Sequence, residues 1–93
     1  MRTIRQTGQF KRDLKREAKG HYKAVLRKEF VALVAILAKD QPPDSRYQDH
    51  ALAGDWKDYR DCHIKPDLVL IYRKPDKDTL QLVRLGSHSE LGF

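Results

Sequence analysis

Residues 59–72 read Tyr-Arg-Asp-Cys-His-Ile-Lys-Pro-Asp-Leu-Val-Leu-Ile-Tyr and carry the strongest secondary-structure signal in the chain. Residues 59–64 alternate in polarity, residues 68–72 form a continuous apolar run, and Lys65-Pro66 between them is typical of a turn. These two segments therefore predict an antiparallel hairpin. A second turn over 75–78 leads into another apolar segment over 80–85, so we expect three successive antiparallel strands.

Two helices are predicted before the hairpin. Phe10, Leu14 and Ala18 recur every four residues, which predicts a helix over 8–19 with one apolar stripe. Apolar residues at helical spacing predict a second, more buried helix over 22–39.

This order of elements predicts one α+β domain spanning residues 1–93. The two N-terminal helices are expected to pack on one face of a three- to four-stranded antiparallel sheet, with residues 2–6 as the candidate fourth strand. Residues 40–55 are predicted to form a loop because they contain prolines, glycine and several aspartates. The second face of the sheet is then expected to be free.

The composition is basic, with 19 lysines and arginines against 13 acidic residues and a formal net charge of +6. Eight bases and two acids lie between Lys11 and Lys28, so this segment holds the whole excess. Such a segment attracts nucleic acid or an acidic protein, and it is equally typical of a solvated helix face. No apolar run reaches the roughly 18 residues of a membrane span, and no signal-peptide pattern opens the chain. A lone cysteine, Cys62, forms no internal disulfide, so we expect a cytoplasmic protein.

Three of the four histidines, His50, His63 and His88, lie in the second half of the chain among aspartates and arginines. Histidine changes charge near neutral pH, so histidines beside carboxylates are suited to proton transfer at a phosphodiester. Strand alternation places Asp61 on the same side as His63. Metal binding is the competing interpretation, but the His-x-x-x-His and Cys-x-x-Cys spacings typical of zinc sites are absent.

Several nearby residues also have ordinary structural interpretations. Asp61 is a candidate for an ion pair with a neighbour of Arg60 or, across strands, with Arg73, and such a pair would contribute little to stability. Trp56 and Tyr59 are as well suited to core packing as to RNA contact. Cys62 is typical of a small buried residue rather than a nucleophile.

The stretches YQDHALAGDWKDYRDCHIKPDLVLIYRK (residues 47–74) and RLGSHSELGF (residues 84–93) resemble the YafQ branch of the RelE/ParE superfamily of bacterial type II toxins. The likeness covers essentially the whole chain and keeps the family's order of segments. It implies a RelE-like fold.

The resemblance also implies an endoribonuclease that cuts mRNA during translation on the ribosome, without a metal or other cofactor. Its implied partners are the ribosome, mRNA and a cognate antitoxin, with which a heterotetramer is expected; no membrane partner is implied. The positions that match the family's catalytic residues are His50, His63, Asp67 and His88. The supporting positions, expected to contact RNA or phosphate, are Arg84, Arg60, Lys57, Asp61, Trp56 and Phe93.

Metal-free RNA cleavage uses the 2′-hydroxyl as nucleophile. The enzyme must remove its proton, protonate the 5′-oxygen and offset the charge of the phosphorane. We expect His50 and His88 to be the base and acid pair, in an order left open, with Asp67 orienting one imidazole or sharing the proton transfer.

The remaining expectations concern binding. Arg84, with Arg60 or Lys57, is the candidate for phosphate, because a guanidinium matches two phosphate oxygens at once. Phe93 is the candidate for stacking on a base.

Two other functions remain open on the sequence alone. The same fold could act as a gyrase inhibitor of the ParE type, or as a non-toxic, antitoxin-bound component of a DNA-binding repressor. The histidines favour the ribonuclease, since a protein that only binds needs no proton-transfer groups.

Overall fold

A computed structural model describes residues 1–92, so the expectation for Phe93 lies outside the described residues. The main elements are β1 (Thr3–Gln6), α1 (Gly8–Ala18), α2 (Lys23–Arg27), α3 (Glu29–Ala38), β2 (His50–Ala51), β3 (Arg60–Lys65), β4 (Leu68–Arg73), β5 (Thr79–Gly86) and α4 (His88–Leu91). Two short 3₁₀ helices, Ser45–Tyr47 and Gly54–Trp56, flank β2. None of the helices formed by residues 1–92 is long and apolar enough to cross a membrane.

The strands form one five-stranded sheet in the order β1-β5-β4-β3-β2. The predicted meander of three antiparallel strands, β3 to β5, is confirmed. The prediction of a three- to four-stranded antiparallel sheet is wrong in two respects. β1 pairs with β5 in parallel, which is possible because three helices and three strands separate them along the chain. β2 adds a fifth strand that is too short to give a periodic sequence signal.

The predicted helix over 22–39 is two helices, α2 and α3, separated at Lys28. The backbone of Lys28 has φ −117° and ψ −72°, and its N–H donates to the carbonyl of Val25, three residues back. Neither glycine nor proline marks this break, so the sequence pattern does not reveal it. Helix α1 was predicted within one residue, and the side chain of Thr7 caps it by accepting from the N–H of Phe10.

The two faces of the sheet carry two separate apolar clusters. The helices cover the main core, which includes the sheet residues Cys62, Leu70 and Tyr72. The opposite face was expected to be free, and this expectation is wrong. A second cluster of Val69, Ile71, Val83 and Leu91 lies there, with Leu52, Trp56 and Tyr59 packed against it. The loop before β3 and the unpredicted helix α4 therefore partly cover this face and leave the rest for polar groups.

Beyond the end of β1, side chains of α1 complete the edge of β5. Asp13 is fully buried, and its Oδ2 accepts from the Leu85 N–H at 3.0 Å and from Arg84 Nε at 2.7 Å. Arg16 donates from Nη2 to the Leu85 carbonyl at 2.9 Å. Burial alone would raise the pKa of Asp13, but the hydrogen bonds from Arg84, Leu85 and Gln9 outweigh it and the net pKa is lowered.

We expect Asp13→Asn to lower the free energy of unfolding at pH 7 by about 1–3 kcal/mol, because a buried charge-assisted contact is weakened. Because the pKa of Asp13 is lower in the folded state than in the unfolded state, where it is about 3.9, the ionised carboxylate stabilises the fold above that unfolded-state value. This stabilisation is lost as the pH falls through the folded-state pKa. Urea unfolding should therefore show a smaller difference in the free energy of unfolding between wild type and Asp13→Asn at pH 3 than at pH 7. The control is Asp58→Asn at an exposed position, and a difference that grows on acidification would contradict this account.

Candidate active site

The three histidines predicted from the sequence lie side by side on the sheet face opposite the helices. His63 on β3 is paired with Val69 and shares its face, and His50 on β2 is paired with Asp61. His88 is the first residue of α4. The ring centroids are 6.1 Å apart for His50 and His63 and 5.2 Å apart for His63 and His88. The imidazoles therefore form a row with His63 between the other two.

At one end of the row, two acceptors surround Nδ1 of His50. Its Nδ1 lies 2.7 Å from the carbonyl oxygen of Gln48 and 3.0 Å from Oδ1 of Asp61. Two acceptors at this distance require a proton on Nδ1, so Nε2 is the nitrogen left to exchange protons with a substrate. The short contact with Gln48 takes the N–H, and Asp61 Oδ1 accepts no hydrogen bond of good geometry from residues 1–92.

Asp61 is 6% exposed and faces two imidazoles with the same oxygen, since His63 Nε2 lies 3.9 Å from its Oδ1. Burial raises the pKa of this carboxyl, the nearby His50, His63 and His88 oppose the rise, and the net pKa is raised. The proposed ion pair of Asp61 with Arg73 is wrong. Arg73 instead donates to Gln81 and lies over the ring of Tyr59.

At the other end of the row, Asp67 holds His88. The carboxylate lies in the turn between β3 and β4, and its Oδ1 is 3.0 Å from His88 Nδ1 and 3.2 Å from the His88 backbone nitrogen. Hydrogen bonds from the His88 side chain and backbone lower the pKa of Asp67, so the carboxylate is ionised at neutral pH. An acceptor at Nδ1 again leaves Nε2 for chemistry. Each end of the row thus has an aspartate oxygen 3.0 Å from a histidine Nδ1, but only Asp67 is hydrogen-bonded to its histidine.

The segment that carries His50 is anchored on the opposite side of the sheet. The hydroxyl of Tyr72 donates to Asp49 Oδ1 at 2.7 Å, and Arg60 Nε donates to the same oxygen at 3.2 Å. Sequence reasoning gave neither Asp49 nor Tyr72 a role. The one available signal was the position of Asp49 directly before His50, because strand alternation sends the two side chains to opposite faces.

We expect Tyr72→Phe to lower the free energy of unfolding by about 1 kcal/mol through loss of this hydrogen bond. The buried ring itself is kept, since Tyr72 is 1% exposed and phenylalanine has the same ring. Urea denaturation measures the change, with Tyr22→Phe as the control, because the Tyr22 hydroxyl forms no hydrogen bond within residues 1–92. Equal effects of the two substitutions would contradict the anchor.

The predicted phosphate-binding cations differ in their surroundings. Arg84 is 23% exposed at its side chain and is paired with Asp13, whereas Arg60 is 45% exposed and paired with Asp49. Lys57 is exposed directly after the second 3₁₀ helix. Trp56 and Tyr59 contact each other edge to face at 5.1 Å against the second cluster. Their contacts with RNA stay predictions.

Two further observations bear on metal and thiol chemistry. In the part of the chain that the structure describes, no group of three or more His, Cys, Asp or Glu side chains is arranged to hold a metal ion. Cys62 is fully buried in the main core, and burial raises the pKa of its thiol far above the usual range. Its position is therefore that of a packed core residue.

Comparison with known proteins places this geometry in context. A family model described as the bacterial toxin of type II toxin–antitoxin systems, YafQ, matches residues 2–92. The mRNA interferase toxin YafQ of Escherichia coli K12 is 38% identical over 90 residues, which is 97% of this chain and 95% of that protein. The crystal structure of the E. coli DinJ–YafQ complex aligns with a TM-score of 0.84 at 35% identity, over 98% of each chain. A metal-bound toxin from Helicobacter pylori aligns with a TM-score of 0.80 at 46% identity, over 98% of this chain and 99% of that one.

Proposed function

The chain belongs to the YafQ family of bacterial type II toxins, and we propose that it is an mRNA interferase, an endoribonuclease that cuts mRNA on the ribosome. The observation that carries the proposal is the row of three imidazoles with an aspartate oxygen 3.0 Å from Nδ1 at each end. A protein that only binds gyrase or DNA has no need for this arrangement.

The proposed reaction is attack of the 2′-oxygen on the adjacent phosphorus. The new bond to the 2′-oxygen forms as the bond to the 5′-oxygen breaks, which yields a 2′,3′-cyclic phosphate and a 5′-hydroxyl. Nucleophile and leaving group lie on opposite sides of the phosphorus, so the base and the acid must also lie on opposite sides. We assign these two roles to His50 and His88, whose rings lie on either side of His63 in the row.

The carboxylates have a supporting role in this scheme. Asp61 and Asp67 favour the proton on Nδ1 of His50 and His88, and they stabilise the imidazolium that forms when Nε2 takes up a proton. His63, between the two pairs, is placed to donate to a non-bridging phosphate oxygen as charge builds up in the phosphorane. This scheme needs no metal ion.

Exposed cations are proposed to bind the RNA backbone, and Arg60, held by Asp49 on the opposite side of the sheet from the row, would contact it away from the cleaved bond. The side chains of Arg60 and Arg84 each stay partly exposed while an aspartate holds them, and Lys57 is exposed. A charged group that is already fixed by a neighbouring carboxylate loses little side-chain freedom when it binds phosphate. Asp13 and Asp49 would then serve as orienting partners for the RNA contacts as well as for the fold.

The proposed partners follow from family membership. A cognate antitoxin would hold the toxin inactive, in a complex that we propose contains two copies of each chain. The ribosome and its mRNA would be the targets, which implies action in the cytoplasm. The related E. coli toxin was crystallised with the antitoxin DinJ.

Induced expression in a bacterial host tests the proposal against its alternatives. Northern analysis of mRNA and gel analysis of plasmid supercoiling are made on the same culture after growth arrest. We expect fragmented mRNA with unchanged supercoiling, and rescue by co-expression of the cognate antitoxin. Intact mRNA with relaxed plasmid would support a gyrase inhibitor instead, and normal growth with intact mRNA would contradict a toxin of either kind.

A further inference from the structure

An open cavity of about 480 Å³ lies directly beside the histidine row. Its lining includes Glu29, Arg46, Gln48, His63, Lys65 and Pro66. The volume falls within the range of roughly 300–1,000 Å³ that is typical of small-ligand sites. His63 belongs to both the cavity and the row, so a ligand in the cavity would adjoin the group that undergoes chemistry.

The cavity exists because β2 is short. β2 pairs only with Arg60 and Asp61 of β3, so the edge of β3 from His63 to Lys65 has no strand partner on that side. The 3₁₀ helix Ser45–Tyr47 stands across the gap. An unpaired strand edge exposes backbone donors and acceptors, and these add to the polar side chains of the lining.

The side chains of the lining suit a nucleobase. Arg46 lies over the ring of Tyr47, with its guanidinium carbon 4.8 Å from the ring centroid, and donates to the Tyr47 hydroxyl at 2.8 Å. Its planar guanidinium is thereby held in place, and such planes stack on unpaired RNA bases. Lys65 pairs with Glu29 at 2.9 Å, so the lining offers donors, acceptors and a net positive charge.

Gln48 connects this cavity to catalysis. Gln48 lines the cavity, and its backbone carbonyl accepts the Nδ1–H of His50 at 2.7 Å. A base that forms a hydrogen bond with the Gln48 amide would therefore lie close to His50. Gln48 has a left-handed backbone with φ 49°.

We propose that this cavity binds the base of a nucleotide next to the cleaved bond and sets the nucleotide preference of cleavage through Gln48 and Arg46. The proposal rests on the ribonuclease function proposed above. Amide and guanidinium groups that read a base edge discriminate between bases by hydrogen bonding, whereas the histidine row acts only on sugar and phosphate.

The test maps cleavage sites by primer extension on a pool of reporter mRNAs in a reconstituted translation reaction. The variants are Gln48→Gly, which tolerates the positive φ, and Arg46→Ala. The matched control is Arg5→Ala, an exposed arginine on β1 at the opposite edge of the sheet. We expect the preference at one position beside the cut to weaken by about tenfold in both variants and to stay unchanged in the control.

The outcomes separate this inference from the function on which it rests. Cleavage by both variants with the wild-type preference would overturn the base-binding cavity and leave the ribonuclease intact. Absence of cleavage by the wild type would overturn both. Thermal unfolding of each variant shows whether a total loss of cleavage comes from misfolding. A variant that is folded but inactive is crosslinked to ribosome-bound reporter mRNAs that carry a 2′-deoxy nucleotide at the cut site, so that the RNA is bound but not cleaved. Crosslinking with the wild-type preference for the neighbouring base would overturn the inference.

Discussion

The variants His50→Ala and His88→Ala are each expected to lower the rate of mRNA cleavage by about 100- to 10,000-fold, the usual contribution of a positioned general acid or base. His50 and His88 stand at opposite ends of the row, and each has an acceptor within 3.0 Å of Nδ1. Removing either imidazole leaves one of the two proton transfers to water. The rate is measured by primer extension under single-turnover conditions.

The control for these two variants is His21→Ala. His21 is exposed in the turn before α2, with its ring centroid 4.0 Å from that of Tyr22. The His21→Ala variant should cleave mRNA at the wild-type rate. The unfolding transitions of all three variants should stay close to that of the wild type. Undiminished cleavage by both His50→Ala and His88→Ala would refute their assignment as base and acid.

The variant Asp61→Asn is expected to change activity and stability in opposite directions. Its rate should fall by about 100-fold or more, because a neutral amide does not stabilise the imidazolium of His50 as a carboxylate 3.0 Å from Nδ1 does. Its free energy of unfolding at pH 7 should rise. The folded state raises the pKa of Asp61, so the ionised carboxylate is a cost of folding at neutral pH that asparagine removes.

The sign of the stability effect can be checked against pH. Because the pKa of Asp61 is raised in the folded state, the ionised carboxylate destabilises the fold at pH values above that pKa. This destabilisation vanishes below the unfolded-state pKa of about 3.9. Urea unfolding should therefore show an advantage for Asp61→Asn at pH 7 that disappears near pH 3. A variant that lost stability and activity together would indicate that Asp61 serves only the fold.

Much of the sheet was predictable because its strands carry strong local signals. The segments over 59–64 and 68–72 differ in pattern but are joined by a proline turn, and both became strands paired in the expected order. The parallel pairing of β1 was not predictable, since four residues of mixed polarity do not specify a partner strand. The break between α2 and α3 and the two-residue strand β2 likewise leave no periodic signal.

The candidate site was predictable in its residue types but not in its geometry. The short strand β2 brings His50 beside Asp61, and the one-turn helix α4 brings His88 beside Asp67. Contacts between residues 11 and 21 positions apart arise from tertiary pairing, which periodicity does not report. The resemblance to a toxin family named the residues, whereas the structure supplies the acceptors from which a proton on each Nδ1 is inferred.

The central claim is that a metal-independent histidine row cleaves mRNA on the ribosome. Primer extension on a reporter mRNA in a reconstituted translation reaction tests it most directly. Wild-type protein and His88→Ala, each treated with EDTA and then desalted, are compared with and without ribosomes. We predict discrete cuts that require both ribosomes and His88 and that survive the EDTA treatment. Intact mRNA with wild-type protein, or the same cuts with His88→Ala, would contradict the account.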